Sequence, residues 1–374
     1  MSDAHAIHAL PFQPGFERVP DDEAETSRGL NEAMQHILDI TYKDYGHAVR
    51  SVHAKSHGLL HGTLHVLEGL PVELAQGAFA TPGSYPLVAR FSTNPGDILD
   101  DKVSTPRGLA LKIIGVKGER LPGSEGQETQ DFVMQNAPAF TAATPKAFLK
   151  TLKLLANTTD KAPGMKKAFS ALLRGTEAAV EALGGESATL KSLGGHPATH
   201  VLGETYYSVV PFLYGPYYAK LSVVPVAPQL TALTDAKVDL DDKPDGLREA
   251  VNAFFASQRG VWEVRVQLAT DIEKMPIEDA SVKWPEDLSP YITVARIEVE
   301  PQPAWNAERA AEIDDGLAFS PWHGLAAHRP LGGIMRVRKP AYELSAGFRG
   351  SHNGCPMHEP RAQRNAAADS LPEG

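Results

Sequence analysis

The sequence contains a single cysteine in 374 residues, Cys355, within the polar stretch Ser351-His352-Asn353-Gly354-Cys355-Pro356. An intrachain disulfide, a thiolate cluster and a cysteine zinc site are therefore excluded. Long apolar runs are missing too: nothing approaches the ~20 residues needed to span a bilayer. Residues 1–20 lack a basic segment followed by an apolar one, so no secretory leader is expected. Basic charge is short, with 36 Lys and Arg against 46 Asp and Glu and a formal charge of −10. That balance opposes attraction to nucleic-acid phosphates or anionic lipid. Internal repeats and low-complexity blocks are absent. The expectation is a soluble, cytoplasmic protein acting on a small molecule, and its 42% hydrophobic residues suffice for a sizeable core.

What is present alternates between helical and strand-like patterns. Residues 1–22, rich in proline, histidine and acid, read as an arm. Over Glu23–Tyr45 the apolar positions Leu30, Met34, Ile37, Leu38 and Ile40 recur at near-helical spacing, with Thr26 and Ser27 as caps. Short β-type runs follow at 51–68, 87–93, 107–116 and 131–135, punctuated by Pro82-Gly83, Asn94-Pro95-Gly96 and Pro122-Gly123. Helical patterning returns over 145–185, ending at Gly184-Gly185. Strands are expected again at 205–212, 217–224, 261–269 and 291–299, with a helix at 246–257. Two strand groups separated by helices predict an α+β unit on a closed or nearly closed antiparallel sheet.

Two stretches carry candidate chemistry. Arg50-Ser51-Val52-His53-Ala54-Lys55-Ser56-His57 reads as a strand, which would put His53, Lys55 and His57 on one face. Towards the C-terminus, Arg338, Tyr342 and Arg349 fall on one face if 335–348 is helical, with Pro340 expected to start or bend that helix. Residues 350–374 lack apolar periodicity and are expected to be a mobile tail, leaving 23–349 as the core.

These stretches, taken in order, resemble the haem catalases. Arg-x-Val-His-Ala-Lys is similar to the family's distal-histidine strand, Arg90-Phe91-Ser92-Thr93 to the next, and Pro106-Arg107-Gly108 to the one after. Asp131-Phe132-Val133-Met134-Gln135-Asn136-Ala137-Pro138 resembles the segment bearing the distal asparagine. Trp284-Pro285-Glu286, Ala318-Phe319-Ser320-Pro321 and Arg338-Lys339-Pro340-Ala341-Tyr342 complete the set. The resemblance implies a catalase-type β-barrel with surrounding helices and without the C-terminal flavodoxin-like domain. It implies haem b, its iron held by Tyr342 beside Arg338, and propionates paired with Arg50, Arg90 and Arg349. Val52 would line the cofactor pocket. His53 would move the protons of peroxide, Asn136 would hold its second oxygen and Ser92 would orient the imidazole.

Some positions depart from that pattern. Thr105 stands where the family has an acid before Pro-Arg-Gly, Thr141 follows Phe140 in place of an aromatic pair, and Glu343-Leu344-Ser345-Ala346-Gly347-Phe348 follows the ligand tyrosine. These changes leave open hydrogen peroxide dismutation, peroxidation, and the processing of organic or fatty acid hydroperoxides, although Val52 resembles the true catalases. A haem-binding protein without turnover is the non-enzymatic alternative. His53, His57, His61 and His65 also recur every four residues, a zinc or nickel stripe on a helix, but on a strand successive members lie roughly 13 Å apart. Oligomeric state is left open.

Overall fold

The structure, a computed structural model, describes residues 8–156, 196–354 and 357–361. Its strands are β1 (Ser56–Val66), β2 (Gly83–Thr93), β3 (Arg107–Ile114), β4 (Thr129–Gln135), β5 (Tyr206–Tyr207), β6 (Phe212–Tyr214), β7 (Tyr217–Pro225), β8 (Gly260–Leu268) and β9 (Ile292–Val299). They pair antiparallel in the order β5-β4-β3-β2-β1-β9-β8-β7-β6. A further pairing of Tyr206 and Tyr207 with Val223 and Ser222 closes eight of them into a barrel, while β6 pairs with the first residues of β7. This is the antiparallel α+β barrel that the two strand groups predict.

Period-two alternation builds the core. On β2, Leu87, Ala89 and Phe91 enter the barrel, and on β3 so do Leu109, Leu111 and Ile113. The residues between them, such as Val88 and Ala110, point outward into a separate cluster with Ile313, Leu317 and Phe319. Both faces of β3 are buried along its whole length, including the charged Arg107 and Lys112.

Among the described residues, the helices of ten residues or more are α1 (Glu23–Tyr45), α2 (Pro145–Ala156), α3 (Gly246–Phe255) and α4 (Gly333–Asn353). In α3, Leu247, Val251 and Phe255 recur at i, i+4 and i+8 and seat the helix on the barrel core. Leu30, Met34 and Ile37 of α1, Leu152 of α2, and Val337 and Ala341 of α4 form a second core. Gly46, at φ 64°, ends α1 in the left-handed conformation that a C-cap favours. No helix among the described residues is long and apolar enough to cross a membrane.

Several expectations are corrected. The first strand starts at Ser56 rather than 51, because the chain turns at His53, whose φ is 54°. His53 N–H donates to the Asn94 carbonyl at 2.8 Å and Ala54 N–H to the Pro95 carbonyl at 3.0 Å. With a register irregularity between Ser56 and Gly58 as well, His53, Lys55 and His57 do not share a face. The run 205–212 splits because Val209 sits at φ 55°, a conformation foreign to a strand. α4 begins at Gly333 and runs through Pro340, held by the burial of Val337 and Ala341 on α1. It extends to Asn353, beyond the expected end of the core. Farther on, Glu359 accepts hydrogen bonds from Lys112 at 2.7 Å and Thr129 at 2.9 Å, which places it against the barrel. The helix expected over 157–185, Cys355 and residues 362–374 lie outside the described residues.

Candidate active site

The outward side of β2 to β4 forms one wall of a cavity. It is lined by Arg90 and Ser92 from β2, Gly108, Leu109 and Ala110 from β3, and Val133 and Met134 from β4. Arg50, Val52 and His53 from the preceding turn, Phe319, and Tyr342 of α4 complete it, enclosing about 50 Å³. The turn is tied to α4 by paired bonds between Ala48 and Asn353, at 2.8 and 2.9 Å, and by Ser51 N–H to Ser345 at 3.3 Å. The distal turn and the helix carrying Tyr342 are thereby fixed to each other.

His53 Nδ1 lies 3.1 Å from the Ser92 hydroxyl. Gly108 makes room for the ring: a Cβ there would sit 2.5 Å from His53 Cε1. Burial, reinforced by Arg90, Arg338 and Arg50, pushes the imidazole down to about 3. It is therefore neutral at neutral pH and can accept a proton. Its left-handed backbone is uncommon for a residue with a side chain and is a form of strain found at functional sites.

Tyr342 sits one helical turn from Arg338, whose Nη2 donates to the phenol oxygen at 2.6 Å. The same guanidinium lies 5.3 Å from the ring centre.

Arg50, Arg90 and Arg349 converge on Asp314, a residue absent from the sequence expectations. Arg90 Nε and Arg50 Nη1 donate to Asp314 Oδ1 at 2.6 and 3.0 Å, and the Ser56 hydroxyl donates to Oδ2 at 2.6 Å. Burial opposes its ionisation, but Arg90, Arg50 and Ser56 hold the Asp314 carboxyl below its ordinary value. The other guanidinium bonds go to main-chain carbonyls, apart from one from Arg349 to the Met357 sulfur at 3.5 Å. Arg50 donates to Ile313 and Leu317, and Arg349 to Asp314 and Leu317. Arg349 Nε is buried without a hydrogen-bond partner. Burial and then Arg90 push the Arg349 guanidinium down to about 10, still cationic at neutral pH.

Asn136 is not brought to the cavity. Its Oδ1 accepts the Arg107 N–H at 2.8 Å, and its amide nitrogen meets His196 Nε2 at 2.6 Å and donates to Glu204. A buried carboxylate is a stronger acceptor than a cavity wall offers, so the amide turns towards Glu204. The histidine stripe also separates: His57 meets Thr93, His61 meets Glu312 and His65 meets Glu298. Among the described residues no cluster of His, Cys, Asp and Glu could hold a metal ion.

The cavity presents a phenol oxygen bonded by a guanidinium together with the guanidiniums of Arg50 and Arg90. A phenol with an adjacent cation can serve as an anionic oxygen ligand. Arg50 and Arg90 share the Asp314 carboxylate, and Arg349 beside them bonds only carbonyls and a thioether and keeps an unpartnered Nε. The enclosed volume, about 50 Å³, is well below the roughly 300–1,000 Å³ of ligand pockets, so a cofactor would be seated only by widening of the cavity.

No protein-family model matches the chain, and no curated protein matches its sequence. Solved structures do match. Catalase A from Saccharomyces cerevisiae superposes with a TM-score of 0.58 at 19% identity, covering 82% of this chain and 62% of its own. A fungal catalase gives 0.58 at 18% identity, with 88% and 66% covered, and a bacterial catalase gives 0.54 at 17%, with 98% and 69% covered. The chain thus spans less than two thirds of the first two. The barrel, its strand order and the helices over it are those of a divergent catalase-type fold.

Proposed function

We propose that the protein is a haem-dependent peroxide-metabolising enzyme. The observation that carries this reading is that the His53–Ser92 pair and the Arg338-bonded Tyr342 line one cavity. Tyr342 would ligate the iron, Arg338 would stabilise its phenolate, and Arg50, Arg90 and Arg349 would take the two propionates, with Val52 against the cofactor. A haem iron bound there would supply the redox chemistry that cleaves peroxide.

The protein's own part is proton handling. His53, kept neutral by burial, takes a proton from one oxygen of the peroxide and returns it to the other. The O–O bond then breaks with departure of water rather than hydroxide, and the proton count of the side chain is unchanged. Ser92 keeps the ring in register through Nδ1. Asn136, with its amide spent on His196 and Glu204, does not share this work unless those bonds are given up. That favours peroxidation over fast dismutation, the direction in which Thr105 in place of a channel acid also points. The apolar walls of Val52, Ala110, Val133, Met134 and Phe319 favour, as a second reading, an organic hydroperoxide as substrate.

Protein produced with ample haem and mixed with hydrogen peroxide, while oxygen release and donor oxidation are recorded, decides between them. Donor oxidation with little oxygen is the expected result. Vigorous oxygen release would make it a dismutase, preference for an organic hydroperoxide would favour the second reading, and absence of any haem band would remove the proposal.

A further inference from the structure

Asp314 lies on the π-type turn Ala310–Asp315 and has no part in the proposed proton transfer, yet it occupies the centre of the arginine cluster. Both of its oxygens are engaged, Oδ1 by two guanidiniums and Oδ2 by Ser56. The neighbouring carbonyls of Ile313, Asp314 and Leu317 fill other donors of Arg50 and Arg349. Carbonyls satisfy hydrogen bonds without cancelling charge, so Asp314 is the carboxylate that Arg50 and Arg90 touch directly, while Arg349 bonds Asp314 only at its carbonyl and Asp315 acts on Arg50 and Arg349 through space. Arg50 and Arg90 are also members of the cavity wall. A ligand carboxylate entering there meets guanidiniums whose best geometry is already taken.

We infer that Asp314 is an internal carboxylate occupying the seat of a ligand carboxylate. It holds Arg50 and Arg90 in place and sets the affinity of the site by competing with the acid groups of the bound molecule. The inference rests on the haem reading for the identity of that molecule, a dicarboxylate. Its physical basis does not: like charges in a half-buried site repel, and a carboxylate removed from an over-cationic cluster leaves a vacancy of charge that another anion fills.

The test uses the full-length chain, wild type and Asp314→Asn, with haem, haem dimethyl ester and succinate as probes. With Asp314→Asn, haem should bind about tenfold more tightly, as for loss of one like-charge contact, while the uncharged ester binds equally to both proteins. Without haem the variant should melt several degrees lower, and excess succinate should restore it more than it raises the wild type. Ser56→Ala, which frees Oδ2 but keeps the charge, should shift haem affinity in the same direction by about two- to threefold. If Asp314→Asn binds haem and ester with equal losses, or is neither destabilised nor rescued by succinate, Asp314 is only structural and the inference falls. If neither protein binds haem while the variant is destabilised and rescued by succinate, the haem reading falls and the Asp314 assignment stands. Should Asp314→Asn fail to fold, the Ser56→Ala comparison of haem with its ester decides: a gain confined to haem supports the inference, and no gain overturns it.

Discussion

The two faces of β2 and β3 are separated by one backbone and follow different chemistry. Inside the barrel, Leu87, Ala89, Phe91, Leu109, Leu111 and Ile113 are all but inaccessible and touch other apolar side chains. Outside, the alternate residues Arg90, Ser92, Gly108 and Ala110 face a cavity with His53 and Tyr342. The inner face contributes stability through area removed from water, whereas the outer face spends stability on buried cations, a strained His53 and space left beside Gly108. The same strands therefore serve as apolar core on one side and as the wall of a polar cavity on the other.

That contrast breaks if the faces can be exchanged. His53→Ala should lower peroxide turnover by about 10²–10⁴, the contribution of a positioned acid–base group, with haem still bound and the melting temperature little changed. Phe91→Ala, on the opposite face, should cost about 3–5 kcal/mol of stability and, at temperatures where it remains folded, leave turnover per bound haem near that of the wild type. Denaturant titration alongside activity measurement checks both, and a reversed pattern would refute the division of labour.

The inner face also holds a titratable group. His328 lies among Phe79, Phe132, Phe212 and Tyr214, accepts the Ala78 N–H at 2.9 Å, and is pushed by burial down to about 4. Its folded value is below its ordinary 6.5, so the unfolded chain binds the extra proton between those values. The contribution of this histidine should be constant above 6.5 and be lost as pH drops towards 4, by at most about 1.4 kcal/mol per pH unit. His328→Gln should show a shallower slope in the same titration. The smallest expected effect is on the outer face: Ser92→Ala should cost about 1 kcal/mol of orientation, read as a several-fold loss in kcat with unchanged stability.

Much of the barrel was legible because alternation is a local signal. Phe91 and Leu109 declare their face in a stretch of seven residues, and Arg338 and Tyr342 declare theirs by a four-residue helical step. The site was legible only where such steps carry it. The left-handed turn at His53 depends on the Asn94 and Pro95 carbonyls some forty positions away, and no local pattern specifies it. The direction of the Asn136 side chain is set by Glu204 and His196, which no local pattern announces. Asp314, inside Glu312-Ile313-Asp314-Asp315, reads as an exposed acidic turn; the available signal was indirect, three arginines assigned to one pocket that must find negative charge when buried.

The central claim is that the outer face and Tyr342 together hold a haem, and the visible absorption spectrum of wild type against Tyr342→Phe, both produced with excess haem, tests it most directly. The wild type should show a high-spin ferric spectrum with tyrosinate character, and the variant should lose that character or the haem itself. Full haem retention with an unchanged spectrum in Tyr342→Phe would contradict the assignment.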